Sequence, residues 1–316
     1  MRNERKARVK RLVLLCAVLL LAAPAPAWSQ RGAAAIAQGV RGFANSSRVL
    51  MIGAHPDDED TGLISWLALG RQVETAYLSL TRGDGGQNLI GNELGEALGA
   101  IRTGELLAAR RLDGGRQYFT RAFDFGFSKD SAETFKHWPR EELLGDVVRV
   151  VRAFRPQVIV AVFSGTAADG HGHHIVSGIL ARDAYDLAAD TVRFPTLQFG
   201  AAWTPAKFYR ARRFSPSGGT VRMNVGEFDP VRGRSYSEIA TESRSQHRSQ
   251  GQGRVPSGGV QWDFVRREAT RVNADVDASK ESSMFDGLDT TWARFRGVAK
   301  TQAQRAVVDP GSAARW

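Results

Sequence analysis

Cysteine is nearly missing from this chain. Its 316 residues include one, Cys16, inside an apolar run near the start. Once that run is removed the chain has no thiol, which excludes cysteine nucleophiles, thiolate metal ligands and disulfides together. Long apolar runs are missing too. The longest, Leu12–Ala23, has twelve residues, and a membrane-spanning helix needs about twenty. Dense basic clusters are absent beyond Arg41. The net charge of +10 therefore forms no nucleic-acid footprint, which requires clustered charge. No G-x-G-x-x-G follows a predicted strand, and Gly83-Asp84-Gly85-Gly86 alone is too short a signal for a dinucleotide site.

What is present first is a leader. Met1–Arg11 carries six basic residues and one acid, Leu12–Ala23 is apolar, and Pro24-Ala25-Pro26-Ala27 offers an A-x-A site. This order of charged, apolar and small residues predicts a secretory signal peptide over residues 1–27. It implies an exported protein, periplasmic or extracellular, with no stable membrane anchor after cleavage. The whole chain is 42% hydrophobic and 24% charged, typical of a globular protein and unlike a disordered or collagenous one. A chain of this length buries roughly three quarters of its surface. It has no need of a structural metal, so any metal it holds is expected to be catalytic.

Strands and helices alternate after Ser47. Arg48–Ala54, Val73–Thr81 and Gln157–Phe163 are short apolar runs that predict buried strands. Asp58–Leu69, Glu96–Leu112, Glu141–Phe154 and His173–Ala189 repeat apolar residues at helical spacing. This alternation predicts an α/β fold, a Rossmann-like, mostly parallel sheet with helices on both faces. Lys207–Ala211 and Thr220–Val225 add a smaller β-containing part, and Ser235–Ser249 reads as a helix. Residues after Gly251 are rich in Gly, Ser and Arg with weak periodicity.

Four of the six histidines fall in two clusters, each just after a predicted strand. They are His55-Pro56-Asp57-Asp58-Glu59 and Asp169-Gly170-His171-Gly172-His173-His174. Ligands of open parallel sheets bind beyond the carboxyl ends of the strands, so the fold brings both clusters to one rim. Imidazole and carboxylate without thiolate suit a divalent metal, zinc most often. The count fits a catalytic site: His55, Asp58 and one histidine of the second cluster, with one position left for water. Asp57 lies between two ligands, points elsewhere and is free to take a proton from that water. His171 is placed to stabilise a developing oxyanion or to protonate a leaving amine. His173 reads as a bystander, and His137 and His247 as structural or surface residues.

The strand ending in His55-Pro56-Asp57-Asp58-Glu59, with the later His171-Gly172-His173-His174, resembles the PIG-L/LmbE-like family of zinc-dependent de-N-acetylases, in particular a secreted bacterial branch. The resemblance covers about residues 45–250 and leaves 251–316 as a C-terminal extension. It implies His55, Asp58 and His174 as zinc ligands, Asp57 as general base and His171 facing the oxyanion. It also singles out Thr81–Gly86 and Arg102-Thr103-Gly104-Glu105, with Arg82 and Arg102 as substrate contacts, and His247-Arg248-Ser249-Gln250 as a late motif. The second motif has Gly-His where relatives often have Pro-Asp. The implied substrate is an N-acetylated amino sugar or related amide, and the implied cofactor zinc or another divalent metal. A non-catalytic glycan-binding protein on the same scaffold is the alternative. Phe123, Phe125, Phe127 and Trp138 would line a sugar site or anchor a loop.

Overall fold

Five short runs with the burial pattern of strands, Arg48–Gly53 (β1), Glu74–Ser79 (β2), Arg116–Phe119 (β3), Val158–Ala161 (β4) and Lys207–Ala211 (β5), lie parallel in one sheet. The computed structural model describes residues 32–212, 217–273 and 275–298; the leader at 1–27 lies outside them. Val221–Asn224 (β6) and Trp262–Thr270 (β9) complete a seven-stranded sheet of order β3-β2-β1-β4-β5-β9-β6, with β9 antiparallel to both its neighbours. Phe228–Asp229 (β7) and Arg234–Ser235 (β8) form a separate two-residue ladder. Eight α-helices are described: Ala33–Gly42 (α1), Thr61–Ser65 (α2), Gly95–Asp113 (α3), Ser131–His137 (α4), Arg140–Phe154 (α5), Gly172–Leu187 (α6), Thr196–Phe199 (α7) and Tyr236–Arg244 (α8). None is long and apolar enough to cross a membrane.

Side chains alternate across a strand, and β1 supplies both cores. Leu50 and Ile52 pack with Val147, Val151, Leu180 and Ala184 from α5 and α6. Val49 and Met51 pack on the other face with Leu63, Ile64 and Leu106 from α2 and α3. A strand covered on both sides reads as a continuous apolar run, which is why β1 and β4 are visible in the sequence. Burying each of the Val, Leu, Ile and Met side chains contributes about 1.5–3 kcal/mol.

Strands β3 and β9 and helix α4 are among the elements that the sequence pattern does not show. β3 is an edge strand whose residues are only partly buried, and β9 is charged along much of its length. The weak periodicity after Gly251 thus hides a strand that sits inside the main sheet, between β5 and β6. Helix α4 is short and has a single buried residue, Thr134. The predicted helix Asp58–Leu69 is shorter at its start. Asp60 caps α2 by accepting the Leu63 N–H at 3.0 Å, and the helix widens to a π turn over Trp66–Gly70.

The strand order reverses at β1. The chain moves outward to β2 and β3, then returns to lay β4 on the other side of β1. Such a reversal opens a crevice beyond the carboxyl ends of the two central strands. His55–Asp60 leaves β1 there, and the loop to α6 leaves β4 there.

Candidate metal centre

The β1 cluster is shaped by its backbone. Asp58 turns back on the strand, and its Oδ2 accepts the N–H groups of Ala54 at 3.0 Å and His55 at 2.7 Å. The Tyr77 hydroxyl donates to the His55 carbonyl at 2.6 Å. It passes over Gly53, where a Cβ would lie 2.5 Å from that hydroxyl. Asp57 sits between these anchors at φ 99°, a region that Asp and Asn tolerate better than most residues.

The β4 cluster is built by a turn and a helix start. The Asp169 carboxylate accepts the N–H groups of Ser164 and Gly165 at 2.9 and 2.8 Å. His171 caps α6, its Nδ1 accepting the His173 N–H at 3.2 Å. Gly172 passes so close to Ser128, Asp130 and Thr134 that a Cβ would lie within 2.4 Å of each. Here glycine is required by packing.

The two clusters meet. His55 Nδ1 lies 3.3 Å from Asp58 Oδ2, and His174 Nε2 lies 3.6 Å from Asp58 Oδ1. One ligand atom from each of His55, Asp58 and His174 falls within 4.8 Å of the others. His55, His171 and His173 form a second such trio. The first trio mixes hard and borderline donors as a catalytic zinc site does. His174 Nδ1 lies 3.4 Å from the Asp169 carbonyl and its ring stacks on Phe163 at 3.9 Å, so the ring presents Nε2 inward.

The electrostatics favour a cation. Burial would raise the Asp58 carboxyl, but His55 and His174 hold it below the ordinary carboxylate range. Burial lowers the His174 imidazole, which keeps it neutral. Burial also opposes charge on His55, yet Asp58 and Asp124 outweigh it and raise that imidazole. Asp57 goes the other way: burial and the neighbouring Asp58 charge push its carboxyl up. Burial and the nearby His55 and His174 push His171 down to about 4. A neutral His171 whose Nδ1 is an acceptor carries its proton on Nε2.

The two arginines part company. Arg102 is 3% exposed and donates to Asp57 Oδ1 at 3.0 Å, the Pro56 carbonyl at 2.6 Å and the Gly83 carbonyl at 3.1 Å. These bonds clamp Asp57 to the Gly83 loop. Arg82 is exposed, donates to Thr103 and lies over the Phe119 ring. Glu105, from the same Arg-x-x-Glu, accepts from the Ser249 N–H and hydroxyl at 2.7 and 2.6 Å.

His173 touches the centre and is no bystander, and His247 is structural, one of the two readings given for it. His173 is fully buried, with Nδ1 3.0 Å from His55 Nε2. His247 is fully buried as well, its Nε2 2.8 Å from Glu59 Oε1. Glu59 also receives Arg110 at 3.1 Å and the Asp57 N–H at 2.9 Å. The one sequence signal for His247 was the late His247-Arg248-Ser249-Gln250 stretch. Trp138 is buried and stacks on His173 at 4.3 Å, so it is a wall of the centre and no sugar platform. Phe127, 75% exposed, stands 5.3 Å from His171 and faces solvent at the mouth.

Residues 50–185, which span both clusters, match the family model described as GlcNAc-PI de-N-acetylase, PIG-L. Over that stretch the chain is similar to the PIG-L family. Among its relatives is the 1D-myo-inositol 2-acetamido-2-deoxy-alpha-D-glucopyranoside deacetylase of Geodermatophilus obscurus, 33% identical over 52% of this chain and 60% of that protein. The mycothiol S-conjugate amidase of Streptomyces coelicolor is 27% identical over 53% of this chain and 61% of that protein. The chain thus spans about three fifths of the length of these relatives. Among solved structures, N,N'-diacetylchitobiose deacetylase from Pyrococcus horikoshii superposes with a TM-score of 0.52 at 19% identity, covering 65% of this chain and 71% of that one. The 4-carboxy-2-hydroxymuconate hydratase of Pseudomonas putida KT2440 gives 0.50 at 14% identity, covering 73% and 100%. At such identities they show that the chain shares its fold with both, whatever reaction each performs.

Proposed function

We propose that this protein is a zinc-dependent amidohydrolase that removes the acyl group from an N-acylated amino sugar. The observation that carries the reading is the convergence of His55, Asp58 and His174 within 4.8 Å, beside an acid whose carboxyl is pushed up. The sequence relatives named above act on a glucosamine-inositol acetamide and on a mycothiol amide, and both reactions open an amide bond.

His55, Asp58 and His174 would hold the metal. A zinc ion there supplies a Lewis acid that polarises an amide carbonyl and acidifies water toward a pKa of about 7. Asp57 accepts the proton of the attacking water. Arg102 engages Oδ1, which leaves Oδ2 for that proton and fixes the direction in which it points. His171 donates its Nε2–H to the carbonyl oxygen as negative charge gathers there, a role suited to a neutral imidazole. The C–N bond then breaks, the proton held by Asp57 passes to the departing nitrogen, and a free amine and a carboxylic acid result. Other divalent metals fit the same donors.

The leader supports export, and the amino terminus of protein recovered from the periplasm or medium should then begin after Ala27. The reaction is tested by mass spectrometry on a panel of N-acetylated amino sugars and cell-wall fragments with added zinc. The expected result is loss of one acetyl group from at least one member. An unchanged panel with fully loaded protein would contradict the reading, and saturable glycan binding without turnover would favour a binding protein on this scaffold.

A further inference from the structure

The His55 ring is used from both sides. Its Nδ1 faces Asp58 at 3.3 Å, in the trio with His174. Its Nε2 faces His173 Nδ1 at 3.0 Å, with the Asp124 carboxylate 3.9 Å away. A neutral imidazole carries one proton. If Nδ1 is a metal donor, the proton must sit on Nε2, and a donor on Nε2 needs an acceptor. Asp124 is too distant to be that acceptor by direct hydrogen bond. Its Oδ1 lies 3.8 Å from His173 Nδ1 and accepts the Gly126 N–H at 2.9 Å. His173 Nδ1 is therefore the group in hydrogen-bond reach.

We propose that His173 is a positioning residue: its Nδ1 accepts the Nε2–H of His55 and so fixes both the tautomer and the angle at which His55 presents Nδ1 to a metal. The inference rests on the zinc reading above. A ligating histidine ordinarily spends its outer N–H on a carboxylate, a backbone carbonyl or water; here an imidazole takes that place. The assignment settles the proton on His173 as well. With Nδ1 accepting, the hydrogen lies on Nε2, a buried atom that has no hydrogen-bond partner. That group is enclosed by rings. Trp138 stacks on His173 at 4.3 Å and 24°, and Phe125 meets it edge to face at 4.4 Å and 78°. A ring so packed cannot turn its other nitrogen toward His55 without losing the stack. Trp138 is held in turn by its own Nε1–H on the Phe123 carbonyl at 2.9 Å.

The test is zinc affinity by chelator competition on the full chain, for wild type, His173→Phe, His173→Asn and His55→Ala. Phenylalanine keeps the ring and its stack on Trp138 but has no acceptor. Asparagine restores an acceptor oxygen. The expected result is a 10–100-fold weaker Kd for His173→Phe, a value for His173→Asn at least threefold closer to wild type, and loss of tight binding in His55→Ala. Should His173→Phe fail to fold, nitrogen-15 NMR of the zinc-loaded wild type decides: His173 is expected as the Nε2–H tautomer, and a His173 proton on Nδ1 would overturn the proposal. His173→Phe matching wild type while His55→Ala loses zinc would overturn the positioning role and leave the metal site standing. His55→Ala binding as wild type would overturn both. A second zinc equivalent in wild type, lost in His173→Asn, would overturn it too by assigning His55, His171 and His173 to a cation.

Discussion

The Arg102 guanidinium lies 3.0 Å from Asp57 Oδ1 and 2.6 Å from the carbonyl of Pro56. One buried cation thus holds both the acid proposed to move the proton and the backbone that carries it. Replacing Arg102 by Leu strands a largely buried carboxylate and two carbonyls. Breaking such a pair is expected to cost about 3 kcal/mol of stability, read by urea unfolding. Activity should fall further than stability explains, because Asp57 loses its direction. Arg102→Lys, which can satisfy only some of the acceptors, should lie between the two. Equal stability in all three proteins would show that the clamp is idle.

Asp57→Asn separates proton transfer from binding. Asparagine is similar in shape and tolerates positive φ, so the turn at 99° should survive. The expected outcome is a kcat lower by about 10²–10⁴-fold with zinc affinity unchanged. An Asn variant that turned over at the wild-type rate would remove Asp57 from the mechanism.

Glu59 links the site to α3 through Arg110 and to the turn after α8 through His247. Burial would raise its carboxyl, but His247 and Arg110 outweigh burial and hold it below the ordinary value of 4.5. A depressed carboxyl stabilises the fold fully above its unfolded pKa and loses that contribution as pH falls toward its folded one. The Tm of wild type should therefore drop more steeply below about pH 4.5 than that of Glu59→Gln. The variant should start lower at pH 7. Parallel Tm profiles would contradict the assignment.

Much of the centre was legible from position alone. His55 and Asp58 follow β1 and the histidine cluster follows β4, both continuous apolar runs because helices cover them on each face; the choice of His174 within the cluster rests on the family resemblance. The partners across the fold were not legible. His173 meets His55 from 118 residues away, and His247 meets Glu59 from 188 residues away; no local spacing encodes either. β3, Arg116-Gln117-Tyr118-Phe119, lacks an apolar run because it is an edge. β9 places Arg266, Arg267 and Glu268 in mid-strand, where Arg267 pairs with Glu281 at 2.8 Å, so its charges hide the strand. Arg82 and Arg102 look alike in sequence, and only burial tells the solvent-facing one from the clamp.

Removing the metal should silence the protein without unfolding it. The sheet and both cores stand on apolar packing, so a chelated sample is expected to keep its fold and lose turnover. Zinc should restore activity and raise Tm by mass action, about 2.7 kcal/mol at a hundredfold excess over Kd. Full activity in excess chelator would exclude metal chemistry.

Anomalous diffraction at the zinc edge, on crystals grown with one equivalent of zinc, tests the central claim most directly. One peak is expected, about 2.0–2.2 Å from a nitrogen of His55, an oxygen of Asp58 and a nitrogen of His174. A peak held instead by His171 and His173, or none between the two clusters, would contradict it.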